Sequence, residues 1–442
     1  MVWVYFSSLL SVALYFKFSR LWSLRNLDLI CLILLAPGLV MEVYGREKGE
    51  VTAQYAGYVW LFSVGGLILI RLLLDPMMVR RPLLEPNLTV GGMTFLGASL
   101  LVFLMVNVAT VNPSELVPEG AKVTAQKVNA ATTPAAGPEA AEPRPDTVGR
   151  KRPGNPLLWL LPSIPTQSFF APRTSEAAEL AQFDPKFIAA SRTIVILSHL
   201  ATVIGLVLIG YWHFDNIKTG VAAAVLYLML PYMAEMTGRP EHALPAAFLV
   251  WAIAMYRQPI VAGIFIGLAA GTIYFPLFLL PLWISFYWQR GLWRFCISVI
   301  VTVGLLVGVL ALRADDLGMF VQHLIKMFGL WLPIDKPEGF WKIPGITHVY
   351  RWPVIALFAV LTFSFALWPA QKNLGTLMSC TAALMLAAQF WHPDGSGLFM
   401  AWYLPLLLLT IFRPNLEDRV ALSVLGEGWL SRRGAQAAAK AA

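Results

Sequence analysis

The sequence predicts an all-α fold, a polytopic bundle of about 13 transmembrane helices with a long flexible outer loop. Composition is the first observation behind this. Of 442 residues, 58% are hydrophobic and only 13% charged, against about 45–50% and 25% in soluble domains. The second is mean hydropathy, +0.66 over the whole chain. The third is spacing: apolar runs of roughly 17–25 residues recur along the chain, the length a bilayer requires. These runs are too long and too unalternating for barrel strands, and a backbone in lipid must satisfy itself internally, so they are read as helices.

The net charge of +8 is, in such a chain, first a topology signal, and no nucleic-acid partner is expected. Cys31, Cys296 and Cys380 lie far apart inside apolar segments. Without a Cys-x-x-Cys or Cys/His spacing they read as small packing residues, and neither a metal nor any cofactor is expected.

The first segment, 2–16, has no basic residue ahead of it and Lys17, Arg20 and Arg25 behind it. A cleaved signal carries its charge first, so this is an anchor with its N-terminus outside. Segments follow at 27–43, 55–74 and 88–109, closing an N-terminal four-helix membrane part, 1–110. Alternation puts Lys17–Arg25 and Arg71–Arg81 inside and Glu42–Glu50 outside, in accord with the positive-inside rule.

Residues 111–190 change character. The stretch is rich in Ala, Pro and Glu, too poor in bulky apolar groups to offset ordering entropy, and reads as an extracytoplasmic linker. Within it, 156–170 is apolar but broken by prolines and suits an interfacial segment. The main membrane bundle, 191–412, resumes with segments at 193–212 and 221–236. Three short ones follow at 244–256, 260–274 and 276–288, then 295–312, an outer region at 313–351, and segments at 353–369, 374–390 and 398–412. A cytoplasmic tail, 413–442, ends the chain. The whole reads as a multi-pass protein of the inner (plasma) membrane with its C-terminus in the cytoplasm.

The three short segments organise the chemistry. A polar loop, Thr237-Gly238-Arg239-Pro240-Glu241-His242, precedes them; Arg257 and Gln258 mark one break, and Tyr274-Phe275-Pro276 the other. The pattern Gly238-Arg239, Arg257, Ala262-Gly263…Gly267-Leu268-Ala269, Tyr274-Phe275-Pro276 and Leu279-Leu280-Pro281-Leu282 resembles membrane glycosyltransferases of the GT-C type. The closest likeness is to family 87, the polyprenol-phosphate-mannose-dependent mannosyltransferases. The stretch His392…Ala401-Trp402-Tyr403-Leu404-Pro405 is similar to the final helix of that class. The resemblance covers about 230–290 well and 390–410 loosely. Arg239 stands where the pattern has Gln, and Tyr274 where it has Lys.

What the resemblance implies is a GT-C-like bundle moving a hexose such as mannose from a polyprenyl-phosphate sugar donor to a lipid or glycan acceptor at the outer face. The family's general base is an Asp shortly before Val-Tyr. The nearest match is Met41-Glu42-Val43-Tyr44, which makes Glu42 the candidate base with Tyr44 and Arg46 near the donor phosphate. Inverting transfer needs one carboxylate to take the acceptor proton and cationic or hydrogen-bonding groups around the departing phosphate. Arg46, Arg239, His242, Tyr274 and His392 all lie at outer segment ends and supply that second requirement.

Competing readings stand beside each. Glu42 near Arg46 and Lys48 also suits a solvated surface charge, as do Glu47 and Glu50. Glu235, in the last turn of an apolar segment, is a second catalytic candidate; otherwise it pairs with Arg239 four residues on. Arg239 and His242 either bind phosphate or anchor helix ends at headgroups. Asp315 and Asp316 read as a solvated helix cap. His199 lies mid-segment and suits a hydrogen bond to a neighbouring helix. Two other functions are carried forward: a degenerate GT-C-like scaffold, and a transporter or flippase of lipid-linked sugars.

Overall fold

The computed structural model describes residues 2–77, 85–110, 185–236, 238–312, 317–318, 320–321, 339–369, 372–392 and 398–414. The expected linker and interfacial segment between 111 and 184, the Asp315–Asp316 pair, most of the outer region and the tail beyond 414 lie outside them. Among the described residues the regular structure is helical throughout. The α-helices are α1 (Val2–Tyr15), α2 (Leu24–Lys48), α3 (Val51–Leu74), α4 (Val90–Thr110), α5 (Pro185–Trp212), α6 (Ile217–Met229) and α7 (Pro231–Glu235). They continue as α8 (Pro240–Ala254), α9 (Pro259–Thr272), α10 (Leu280–Tyr287), α11 (Leu292–Leu312), α12 (Arg351–Leu367), α13 (Leu374–Trp391) and α14 (Leu404–Phe412). Six of them, α2, α3, α4, α5, α11 and α13, are long and apolar enough to cross a membrane. The described residues of the chain are all-α, with helices of the length and composition of a membrane protein.

Local sequence explains the joints. α2 does not stop near residue 43 but runs on to Lys48, because Met41 to Lys48 are mostly ordinary helix formers. It ends where Gly49 takes φ 72°, a left-handed conformation that glycine adopts without penalty. α3 starts two residues later, so α2 and α3 form a tight antiparallel hairpin. Small residues let them close: a Cβ on Gly45 would lie 2.4 Å from the Gln54 nitrogen, and one on Gly57 would lie 2.7 Å from the Glu42 nitrogen.

The segment expected at 221–236 is two helices. Pro231 offers no N–H and pushes the residue before it out of the helical region. Leu230 accordingly sits at φ −59°, ψ 137°, and the separate turn α7 begins at the proline. Ordinary caps fix other starts, with Asn216 accepting from the Thr219 N–H and Asn373 forming a capping box with Thr376.

The Ala-Gly-x-x-x-Gly run of α9 packs on α11. A Cβ on Gly263 would sit 2.0 Å from the Ser298 hydroxyl, and one on Gly267 2.8 Å from Thr302 Cβ. That motif is a helix-packing device here.

Polar contacts mark two ends of the bundle. At one end Arg71 holds Asp28 through two bonds, Nε–Oδ1 at 2.7 Å and Nη2–Oδ2 at 3.0 Å, and reaches Asp75 at 2.9 Å. Asp75, fully buried, takes Arg413 on its other oxygen at 2.8 Å. These four side chains tie the α2–α3 hairpin to the residue that follows α14. Desolvated charges of this kind hold only when each is paired. Gly375 gives Arg413 its room, since a Cβ there would be 1.4 Å from Nη1. Lys372, just before α13, donates to Ser285 Oγ, Pro369 O and Ala366 O at 3.0, 2.9 and 3.2 Å.

Candidate functional site

The other end of the bundle gathers the residues the sequence singles out. α2 turns Glu42 toward α3, where its side chain is 1% exposed. The Tyr58 hydroxyl donates to Oε1 at 3.5 Å, and Arg46 Nη1 lies 3.8 Å from the same oxygen. Gln54 Nε2 in turn donates to the Tyr58 oxygen at 3.2 Å. Oε2 is buried without a hydrogen-bond partner among the described residues. A solvated surface charge is therefore not what Glu42 is. Leaving a carboxylate oxygen desolvated and unpaired costs free energy, so such a group marks a reservoir of strain, a working site or a place for an ordered water or ion.

Tyr44 does not share this face. Two residues on, it is rotated about 200° around the helix axis and is half-buried on another side of α2. Arg46, four residues on, does return to Glu42 and stays partly exposed at 40%.

A second cluster forms around the start of α8. Arg239 caps that helix, its carbonyl accepting from the His242 and Ala243 N–H groups at 3.1 and 3.3 Å. The half-buried Arg239 side chain bears electrostatically on Tyr232. His242 is buried, with Nδ1 2.5 Å from the Tyr232 hydroxyl. Its ring lies 4.7 Å from Phe399, which lies 4.8 Å from His392. His392 is 5.0 Å from Phe275, and Phe275 stacks on Tyr274 at 4.1 Å. Four chain segments thus bring His242, His392 and Tyr274 around the rings of Phe275 and Phe399.

The clusters adjoin. Leu39, one turn before Glu42, lines a small cavity together with Tyr232, Met400 and Leu404. Glu42 itself makes no hydrogen bond or ion pair to His242 or His392 among the described residues. Glu235 ends α7 beside this cluster; its side chain lies outside the described atoms, so its pairing with Arg239 does too.

Sequence reasoning missed several members. Glu241 is buried, and its carbonyl accepts from Trp402 Nε1 at 3.0 Å. Arg351, at the first turn of α12, is buried and donates to the Trp391 carbonyl at 3.1 Å. Gln389 is buried in α13; its Oε1 accepts from the Phe399 N–H at 3.3 Å, while Nε2 has no partner among the described residues. The signal was there: each is a polar residue in the end turn of an apolar segment. His199, by contrast, meets expectation, with Nδ1 3.4 Å from the Tyr227 hydroxyl of α6. Among the described residues no group of three His, Cys, Asp or Glu side chains is placed to hold a metal.

Comparison with protein-family models, with curated proteins and with solved structures yields no match.

Proposed function

We propose that the protein transfers a hexose such as mannose from a polyprenyl-phosphate donor to a lipid or glycan acceptor at the end of the bundle that holds Glu42. The reading places that end at the extracytoplasmic face of the inner membrane, in a GT-C-like bundle of about 13 crossings in which the shorter helices count as spans. One observation carries it: a carboxylate that is 1% exposed, beside an arginine, with one oxygen left without a partner among the described residues.

In the proposed step the acceptor hydroxyl hydrogen-bonds to Glu42 Oε2. Its oxygen attacks the anomeric carbon while its proton passes to the carboxylate. The bond from that carbon to the phosphate oxygen breaks on the opposite side, so the configuration inverts. Polyprenyl phosphate leaves with the electron pair. The charge developing on it falls to Arg46 and Arg239, with Tyr274, His242 and His392 as hydrogen-bonding partners. Tyr44, on another face of α2, suits the donor's lipid side better than its phosphate.

The test is transfer of label from polyprenyl-phosphate mannose by membranes containing the wild-type chain, Glu42→Gln or Glu235→Gln. Glu42→Gln should lower turnover roughly 10²–10⁴-fold, the usual worth of a general base. Equal loss in Glu235→Gln alone would move the base to α7. Full activity in both would end the proposal.

A second reading has its own support. Two cavities at this end, one beside Tyr232 and one beside Gln389, each leave only about 10 Å³, room for a single water. Cavities that small suit a GT-C-like scaffold that lost its chemistry. Under that reading the wild-type membranes transfer nothing.

A further inference from the structure

At the end of the bundle opposite His242 and His392, two turns come together. One joins α8 to α9 and carries Arg257; the other joins α10 to α11 and carries Arg290. The Tyr287 hydroxyl donates to the Tyr256 carbonyl at 2.6 Å. Gly291, at φ 94°, lies so close that a Cβ on it would meet Pro259 Cγ at 2.7 Å. Arg257 is held in place by its Nε donating to the Tyr256 hydroxyl at 3.3 Å, with its guanidinium 5.8 Å from that ring. Arg294 follows Arg290 by four residues, on the first turn of α11. Arg290 and Arg294 are exposed.

Among the described residues no carboxylate pairs with these charges. The sequence from His242 to Ala314 contains no Asp or Glu. Among the described residues none of the three arginines makes an ion pair, and that includes Asp215 on the turn after α5. Two tryptophans flank the corner, Trp288 at 67% and Trp293 at 77% exposure. Exposed indoles beside arginines at the ends of apolar helices are the side chains that settle at headgroup depth. Arginine matches a phosphate with two parallel donors, a pairing lysine cannot reproduce.

We propose that Arg257, Arg290 and Arg294 form a binding site for the phosphate headgroup of an anionic phospholipid, with Trp288 and Trp293 flanking its glycerol and upper acyl region. Charge complementarity names the occupant. Three cations without an ion pair among the described residues, at the headgroup level of a membrane protein, favour an anionic lipid over a zwitterionic one, whose choline cation they repel. The site depends on the chain lying in a bilayer and is independent of the glycosyl-transfer reading.

Native mass spectrometry of the detergent-purified protein, titrated with phosphatidylglycerol or with phosphatidylcholine, tests this. The wild-type chain should retain phosphatidylglycerol in preference to phosphatidylcholine. The triple variant Arg257→Gln, Arg290→Gln, Arg294→Gln should bind phosphatidylglycerol roughly tenfold or more weakly, with phosphatidylcholine binding unchanged. Lys48→Gln, an exposed charge removed at the other end, should leave both as they were. Inorganic phosphate at millimolar concentration should not compete; displacement by it would mean a free-anion site and overturn the lipid assignment. Equal retention of the two lipids by the wild type, or undiminished phosphatidylglycerol binding by the triple variant, would overturn the site itself. If the triple variant unfolds, the single variants Arg290→Gln and Arg294→Gln, on exposed side chains, give the same reading.

Discussion

Single residues decide most in the two buried polar groups. Asp75 has both oxygens occupied, one by Arg71 and one by Arg413, and Gly375 is what lets the second arginine in. Gly375→Ala would set a methyl group 1.4 Å from Arg413 Nη1 and drive the guanidinium out. The expected cost is about 3–5 kcal/mol, the penalty of breaking a buried ion pair, read as a lower unfolding temperature in detergent. Arg413→Ala should fall in the same range, and the double variant should lose little more than either alone, because both remove one contact. None of this network was legible in the sequence. Asp28, Arg71, Asp75 and Arg413 stand up to 385 positions apart along the chain, and a basic residue at a helix end reads equally well as a topology signal. Glu42 was legible as a candidate base through the Met41-Glu42-Val43-Tyr44 match, while its charged neighbours read equally well as solvated surface. Its burial against Tyr58 comes from the α2–α3 packing, which no local pattern announces.

At the scale of elements, glycine placement separates packed faces from open ones. Gly263→Leu should force α9 from α11, since even a Cβ there meets the Ser298 hydroxyl at 2.0 Å. Overpacking of that kind costs about 1–3 kcal/mol or more. Gly304→Leu on α11 meets nothing within 4 Å and should shift stability by less than about 0.5 kcal/mol. Thermal unfolding of the two variants side by side checks the contrast; equal losses would contradict the assigned faces. The apolar segments were legible because lipid demands a certain length and composition, but among the described residues only six helices are long and apolar enough to cross a membrane, and several bounds lie turns away from the expected ones. Where sequence and structure part, a special residue explains it. Pro231 splits a segment read as one, and Gly49, not the first charged residue, ends α2. The Ala-Gly-x-x-x-Gly run, read as part of a functional pattern, serves helix contact.

At the scale of the molecule, the two ends differ in kind. One is locked by paired charges that join the hairpin α2–α3 to the close of α14. The other holds His242 and His392 around aromatic rings, with Arg351 and Gln389 close by and Glu42 buried on the α2–α3 hairpin; among the described residues Glu42 Oε2 and Gln389 Nε2 have no partner. Under the proposed topology the first end is cytoplasmic and the second faces out. Cysteine introduced at exposed Lys48 should then react with a membrane-impermeant thiol reagent in intact cells, and one at exposed Lys218 should not; the reverse pattern would invert the bundle. The sequence placed the candidate residues at outer segment ends, but which of them meet could not be read from it, because that rests on how the helices pack. The segment pattern supplied the ends, and packing supplied the partners.

The central claim is that the buried carboxylate of Glu42 takes a proton during sugar transfer. Steady-state transfer from polyprenyl-phosphate mannose, comparing the wild-type chain with Glu42→Gln, tests it most directly. The account predicts that kcat falls roughly 100-fold or more while KM for the donor stays within about twofold, as expected of a group that acts in the transition state and not in donor binding. A Glu42→Gln protein that folds and turns over at the wild-type rate would contradict it.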